Sequence, residues 1–520
     1  MSGLRLAVED RKADAVTHLA ESLGVKIQEP AFWGCTKEKS SCSRTAAFTI
    51  SWQNFYRKAC RATAEHTYKE KVVRRVRSMK IEWKKIHWKE KYTYAVLCVV
   101  VCILLLAVGL GKGQEKVQEK KKKPAAEKKE EQPETETVYE EPLMRVLIRG
   151  DGFVDEVHPM VSLQAAGGMN IETGGQLEQT TPGETVTIAP DHPWFQSGVI
   201  RFSVREQGDR ICILNLQRGY GVPAYRGILE LRTTAEGIAI VNELPMEDYL
   251  CGVVPSEMPV SYEIEALKCQ AICARSYAYN QAQEMAYPEY GAHVDDSTAF
   301  QVYGNSAEAE SSNQAVKETA GKRLFYQGQV ATAYYYSTSC GRTTDMTAWG
   351  AERNEANAYL TSVAVAGAAG DYESGLPWYR WDAVFDKENL GNQISLQTGT
   401  QIGTLVSLEV TKRGAGDIAL QIQASGTLGS VTVETENRIR RALGGNYYQI
   451  TKQDGTVTDG RELLPSAFFT VEDQGSRIVL HGGGFGHGIG MSQNGANAMA
   501  AQGLCCEEIL KFFYTGVEVR

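Results

Sequence analysis

The chain has 520 residues, of which 43% are hydrophobic and 23% are charged, and its formal net charge is −8. This length and composition can support two or three folded units with ample core. The negative charge argues against nucleic acid as a partner, because nucleic-acid-binding surfaces carry an excess of basic residues.

The N-terminal region, residues 1–91, contains basic clusters but no repeat and no motif that indicates a function. Charge runs of this kind are usually solvated surface, and we predict a cytoplasmic location. Met79 begins a stretch in which basic residues precede a long apolar run, as in a signal anchor. Met79 is therefore an alternative start of the protein, which a tryptic peptide from residues 12–57 of the native chain would exclude.

A transmembrane helix is predicted at residues 92–110, a run of nineteen residues without a charge. Basic residues flank this run almost equally on both sides, so the positive-inside rule does not orient it. The next segment, 111–142, is rich in Lys and Glu and poor in apolar residues. We predict that this segment is an extended, disordered linker.

The remainder, 143–520, is predicted to be one folded region of the α+β class. Its first part, 145–243, consists of short apolar runs between Gly, Pro and Asp turns, which predicts a β-rich half. Further strand-like runs follow, and helical patterns occur among them at 262–284, 306–320, 492–502 and 505–514.

Glu257 is the strongest candidate for a catalytic residue. Its neighbours in the sequence are apolar: Val253, Val254, Pro255, Met258, Pro259 and Val260. Burial raises the pKa of a carboxyl group, and a protonated glutamic acid can donate its proton near neutral pH. The helix predicted to begin after Ser261 would favour the anion by only about 0.3 to 1 kcal/mol. The alternative is a surface carboxylate that caps this helix.

Three segments resemble the SpoIID/LytB family. They are LPMEDYLCGVVPSEMPVSYEIEALKCQAICARSY at 244–277, YYYSTSCGRTT at 334–344 and GGGFGHGIGMSQNGANAMAAQG at 482–503. The resemblance implies a peptidoglycan lytic transglycosylase whose catalytic acid is Glu257, in the Glu-Met-Pro motif. Such an enzyme leaves 1,6-anhydro ends, because the 6-hydroxyl of the muramic acid replaces water as the nucleophile. A hydrolase would need a second carboxylate about 5 to 9.5 Å away, which the sequence does not assign.

The resemblance also implies a cellular setting. The substrate would be glycan strands from which stem peptides have been removed, and a wall amidase would be a partner, in sporulation or in general wall remodelling. The protein would be a single-pass membrane protein with its C-terminal part outside the cell. Two alternatives remain open: a non-catalytic enhancer of a wall amidase, and a membrane-anchored structural partner of other hydrolases.

Further residues are candidates for substrate binding by resemblance. Lys268 and Arg275, on one predicted helix, would face the lactyl carboxylate of the glycan, or else form a solvated helix edge. The other candidates would contact sugar hydroxyl and N-acetyl groups: Gln301, Tyr303, Ser337, Ser339, Gly341, His487, Ser492 and Gln493. The alternative for His487 is a turn histidine with satisfied hydrogen bonds. One or two aromatic residues are expected in the groove, from Tyr334, Tyr335, Tyr336, Trp349, Trp378 and Trp381.

No metal and no cofactor are predicted. Some relatives hold zinc with a histidine and a Cys pair that precedes Gln-x-Tyr, but the cysteine positions correspond here to Asp295 and Phe300. His293 and Asp295 alone do not complete a structural zinc site, which usually has four ligands. Cys269 and Cys273 could also place two thiols on one helix face, with the same shortage of ligands.

Overall fold

The structure is a computed structural model that describes residues 142–368 and 370–520. The N-terminal basic region, the predicted transmembrane helix at 92–110 and the predicted linker up to residue 141 lie outside these residues. No helix in the described part is both long and apolar enough to cross a membrane.

The predicted β-rich half contains ten strands. They are β1 Leu143–Ile148, β2 Val161–Gln164, β3 Met169–Thr173, β4 Gln176–Gln179, β5 Thr185–Ile188, β6 Ile200–Val204, β7 Ile211–Ile213, β8 Ala224–Tyr225, β9 Ile228–Thr233 and β10 Ile238–Pro245. Six of these strands form from short apolar runs that the sequence predicts: β1, β5, β6, β7, β9 and β10.

Two sheets are built from these strands. The larger has the order β11-β1-β10-β9-β6-β3-β4, where the short strand β11, Val294–Asp295, adds to the edge in parallel. The smaller has the order β5-β2-β7-β8. Strand β10 is buried on both faces, because Ile240 belongs to the main core while Val241 packs in a second cluster with Leu147. A central strand of this kind is a continuous apolar run.

The described residues contain seven α-helices. They are α1 Met246–Glu257, α2 Ile264–Gln281, α3 Glu310–Glu318, α4 Lys387–Thr398, α5 Glu436–Leu443, α6 Gln493–Ala501 and α7 Cys506–Phe513. The four helices that the sequence predicts correspond to α2, α3, α6 and α7. The other three were not predicted: α1 contains Pro255, α4 contains Gly391, and α5 has only eight residues.

The remaining strands lie between and beside these helices. They are β12 Leu324–Tyr326, β13 Gln329–Val330, β14 Tyr335–Tyr336, β15 Ala366–Gly367, β16 Gly370–Asp371, β17 Trp381–Asp386, β18 Leu405–Arg413, β19 Ala419–Gly426, β20 Ser430–Glu434, β21 Gln449–Lys452, β22 Val457–Asp459, β23 Phe469–Asp473, β24 Arg477–Gly482, β25 Met491–Ser492 and β26 Glu518–Val519. The largest sheet among them has the order β22-β21-β17-β24-β23. The prediction of an α+β fold is confirmed.

The end of helix α1 fixes the position of Glu257. Pro259 restricts the residue before it to extended conformations, and Met258 has φ −132° and ψ 136°. Helix α1 therefore ends at Glu257. Helix α2, predicted to begin after Ser261, begins at Ile264, after its N-cap residue Glu263. Glu257 was not expected to be the last residue of another helix.

A two-stranded parallel pairing joins two of the three family-like segments. Strand β14 pairs with β25, so that Tyr335 lies opposite Met491 and Tyr336 opposite Ser492. Helix α6 starts directly after β25, and Ser492 is its N-cap. The pairing brings the start of α6 beside the segment that follows Tyr336.

Candidate active site

Glu257 is held by two hydrogen bonds at the end of α1. Its Oε1 accepts a hydrogen bond from the backbone N–H of Val302 at 2.7 Å, and its carboxylate accepts another from the hydroxyl of Tyr335. Both bonds favour the charged form, yet burial outweighs them and raises the pKa of Glu257 to about 7. Since the residue keeps partial contact with solvent, it can exchange a proton near neutral pH.

A chain of side-chain hydrogen bonds orients the Tyr335 hydroxyl. The amide Nε2 of Gln301 donates to the Tyr335 oxygen at 3.0 Å, and the hydroxyl of Tyr249 donates to Gln301 Oε1 at 3.3 Å. Because Gln301 can only donate through Nε2, the proton of Tyr335 is directed to Glu257. Gln301 is thus buried and acts on the acid through Tyr335, instead of lying free for a ligand.

A groove of about 650 Å³ lies beside this chain of hydrogen bonds. Aromatic rings form much of its lining: Tyr277, Phe300, Tyr334, Tyr335 and Trp349. Glu257 itself does not line the groove. Its hydrogen-bond partner Tyr335 does, and so does Gln301, which donates to Tyr335. Such a lining suits the apolar faces of sugar rings. Three of the six aromatic candidates line it: Tyr334, Tyr335 and Trp349.

His487 connects the glycine-rich segment to strand β14. Its Nδ1 accepts the backbone N–H of Ile489 at 3.1 Å, which leaves Nε2 to donate to the carbonyl of Tyr335 at 2.9 Å. Burial, helped by the charge of Arg440, lowers the pKa of His487 to about 3, so the ring is neutral. His487 lines the groove and fixes the backbone of Tyr335.

Gln493 holds the backbone of the acid itself. Its Nε2 donates to the carbonyl oxygen of Glu257 at 3.0 Å and to Gln270 Oε1 at 3.2 Å. The side chain is buried, so its amide is used within the protein. Gln493 is therefore a residue that positions Glu257, which differs from the predicted contact with substrate.

A second buried glutamate, Glu373, was not predicted. It accepts hydrogen bonds from the Ser339 N–H at 2.9 Å, from the Ser339 hydroxyl, and from the Ser492 hydroxyl at 2.7 Å. Burial raises the pKa of Glu373 to about 7 despite these donors. Ser339 and Ser492, which were expected to bind substrate, turn inward to this carboxyl group. No local pattern in the sequence marks Glu373.

Two predicted substrate-binding residues form ion pairs within the protein. Arg275 is completely buried and pairs with Glu247 of α1 through Nε at 2.7 Å and Nη2 at 2.6 Å. Lys268 pairs with Glu265 at 2.9 Å and Glu318 at 2.7 Å. These contacts contradict the expectation that Arg275 and Lys268 face a carboxylate of the glycan, since acidic residues of the protein already neutralise them.

The remaining predicted residues have structural contacts. Tyr303 is buried and donates its hydroxyl to Asn242 at 2.7 Å, which contradicts a role in substrate binding. The Ser337 hydroxyl pairs with that of Thr338 at 3.1 Å. Gly341 has φ +96°, and a Cβ atom there would lie 2.3 Å from an oxygen of Asp371. Gly341 is therefore required by its turn.

Within the described residues, no three potential ligands come together to hold a metal ion. His293 Nδ1 accepts the backbone N–H of Arg145 at 3.2 Å, and Asp295 pairs with Arg149 at 3.0 Å. The thiols of Cys269 and Cys273 are buried and contact the Cys506 carbonyl and the Tyr514 hydroxyl, each at 3.4 Å.

The fold and site define a class: an α+β protein with a desolvated glutamic acid beside an aromatic groove. Residues 234–326 match a family model described as SpoIID, Stage II sporulation protein, and residues 345–490 match Domain of unknown function (DUF8618).

Three similar proteins agree with the match to the SpoIID family model. Stage II sporulation protein D of Bacillus amyloliquefaciens is 30% identical over 303 residues, 54% of this chain and 75% of the relative. Its counterpart in Bacillus subtilis (strain 168) is 29% identical over 323 residues, which are 57% of this chain and 82% of the relative. The amidase enhancer of Bacillus subtilis (strain 168) is 31% identical over 297 residues, which are 51% of this chain and 39% of the relative. The chain belongs to the SpoIID/LytB family.

Proposed function

We propose that this protein is a peptidoglycan lytic transglycosylase that acts in cell-wall remodelling linked to sporulation. The observation that carries the proposal is Glu257, whose carboxyl group has a pKa near 7 and adjoins an aromatic groove through Tyr335. The similarity to stage II sporulation protein D supports the setting. The proposal includes an anchor at 92–110, an extracytoplasmic C-terminal part and peptide-free glycan as substrate.

The reaction uses Glu257 twice. The protonated carboxyl group gives its proton to the oxygen that joins N-acetylmuramic acid to N-acetylglucosamine, and the bond from this oxygen to C1 breaks. The 6-hydroxyl of the same muramic acid then bonds to C1 and returns its proton to Glu257. Water is not consumed, so a second carboxylate is not needed. Glu373 is enclosed by serines and does not line the groove.

Tyr335 serves the intermediate stage of this cycle. After the proton has left, its hydroxyl stabilises the Glu257 carboxylate, which is otherwise disfavoured by burial. Gln301 and Tyr249 keep that hydroxyl in place. The arrangement holds the pKa of Glu257 near the pH at which a general acid is most effective.

A second candidate function is a non-catalytic enhancer of a wall amidase. The similarity to the amidase enhancer of Bacillus subtilis favours this candidate. In that case the groove would bind glycan, the protonated Glu257 would serve only the fold, and a wall amidase would be the partner.

The two candidates differ in the products that the full-length protein generates from amidase-treated peptidoglycan. We expect 1,6-anhydro ends by mass spectrometry, and Glu257→Gln should lower their rate of formation by about 10²- to 10⁴-fold. The rate of the wild type should decline as the pH rises through about 7, because the deprotonated acid has no proton to donate. Glu263→Gln, at an exposed position six residues later, is the matched control.

Two results would contradict the proposed function. If Glu257→Gln forms anhydro ends as fast as the wild type, Glu257 is not the acid. If neither protein cleaves glycan but both stimulate an added wall amidase equally, the enhancer is the correct function.

A further inference from the structure

Part of the groove lining comes from the region 345–490, which matches a domain of unknown function. This part includes Trp349, His487 and the first residues of α5. The groove residues whose side chains carry a full charge all lie in α5: Glu436, Arg438 and Arg440. The charge of the groove is therefore set by this region.

Two of these three charges cancel. Glu436 is completely buried, and its carboxylate binds Arg440 Nη1 at 2.8 Å and Trp349 Nε1 at 3.2 Å. His487 adds no charge, because it is neutral. The lining therefore has a surplus of one positive charge, which belongs to Arg438.

Arg438 is available to a ligand. It is exposed, and within the part of the chain that the structure describes its guanidinium has no hydrogen bond or ion pair. Its neighbour Arg441, also on α5, is exposed too, but it pairs with Glu462 at 2.5 Å and does not line the groove. An unpaired guanidinium in a groove is suited to a planar carboxylate, which it binds through two parallel hydrogen bonds.

We propose that Arg438 is a specificity-determining residue that binds the lactyl carboxylate of a muramic acid whose stem peptide has been removed. The inference rests on the proposed function for its substrate. When the stem peptide is present, the lactyl group ends in a neutral amide, and the charge-assisted bonds to Arg438 are lost. Region 345–490 thereby selects peptide-free glycan, a role that Lys268 and Arg275 cannot take because they are already paired.

Binding measurements test this inference without cleavage. Soluble peptide-free glycan is compared with the same glycan after its carboxylates have been converted to methylamides, using the full-length Glu257→Gln protein and calorimetry. We expect the free carboxylate form to bind about ten- to a hundredfold more tightly. Arg438→Gln should remove this preference, whereas Arg441→Gln should keep it.

The outcomes separate this inference from the proposed function. A preference for the carboxylate that survives in Arg438→Gln, with unchanged thermal unfolding, would overturn the inference, as would equal binding of both glycans by the parent protein. If the wild type forms no anhydro ends but the preference depends on Arg438, the cleavage proposal fails while the inference stands for a glycan-binding protein.

Discussion

Two glutamates in this protein have similarly raised pKa values but different surroundings. Burial is the main cause for both Glu257 and Glu373. The difference lies in their donors: Glu257 accepts from a tyrosine that lines the groove, whereas Glu373 accepts from two buried serines. The contacts, and not the pKa values, separate a candidate acid from a structural carboxyl group.

The raised pKa of Glu373 makes the stability of the protein depend on pH. Its pKa is about 7 in the folded state against 4.5 for the ordinary group, so the folded state binds more protons between these values. The stabilising contribution is complete below about pH 4.5 and is lost as the pH rises through about 7. Above that pH, the buried carboxylate costs about 3 kcal/mol relative to the protonated form.

We therefore expect Glu373→Gln to be more stable than the wild type at pH 8 by about 1 to 3 kcal/mol, and to differ little at pH 5. The amide can donate to the Ser339 hydroxyl and still accept from Ser492, so the packing is kept. Denaturant unfolding at both pH values measures the difference, with the exposed Glu289→Gln as control. An equal difference at pH 5 and pH 8 would falsify the assignment.

At the scale of residues, the sequence identified a site residue where a short segment of the chain marks it. Glu257 was found because the apolar residues beside it and the Glu-Met-Pro motif lie within one short segment of the sequence. Glu373 was missed because its serine partners lie 34 and 119 positions away. The role predicted for Arg275 was wrong for the same reason, because its partner Glu247 belongs to another helix.

At the scale of elements, the parallel pairing of β14 with β25 depends on a glycine. Gly490 directly precedes β25 and has φ +76°. A Cβ atom there would lie 2.1 Å from the carbonyl oxygen of Tyr334, which directly precedes β14. No side chain fits between these two backbones, so only glycine allows β25 to approach β14.

Gly490→Ala should therefore destabilise the protein by more than the roughly 1 to 2 kcal/mol that a left-handed conformation alone costs. Gly503→Ala is the matched control, because Gly503 has φ +94° but no atom within 4 Å of a new Cβ. Urea unfolding of both variants separates the close contact from the conformational cost. Equal losses of stability in the two variants would contradict the packing argument.

The elements themselves were predictable where a pattern is long or repeated. Strand β10 and helix α2 follow from their apolar residues. Helix α1 was missed because Pro255 lies within it, and helix α5 because eight residues give a weak periodic signal. Those two helices provide Glu257 and Arg438, so the least predictable elements carry the candidate functional residues.

For the molecule as a whole, we predict that a chelator leaves the melting temperature unchanged. His293 and Asp295 are already bound to Arg145 and Arg149, and Phe300 occupies the position of a cysteine that holds zinc in some relatives. A structural zinc contributes on the order of 10 kcal/mol to folding in small domains, so its removal would be obvious. Differential scanning calorimetry with and without EDTA measures the effect, and a large drop would show a bound metal.

The fold class of the whole molecule was predictable, but the composition of its groove was not. The three family-like segments indicated where the acid lies. The part of the lining from region 345–490 comes from residues that lie far from Glu257 in the sequence. Trp349 and His487 were candidates, but no resemblance pointed to the residues of α5. Residues such as Arg438 become neighbours of Tyr335 only through tertiary packing.

The hydrogen bond from Gln493 to the Glu257 carbonyl joins residues 236 positions apart. During synthesis the N-terminal parts of a protein become available for folding first. Gln493 and His487 are synthesised long after Glu257 and Tyr335, the residues that they hold. Consequently, a nascent or prematurely terminated chain carries the acid without the residues that position it. The order of synthesis therefore delays the positioning of Glu257 until residue 493 has been added.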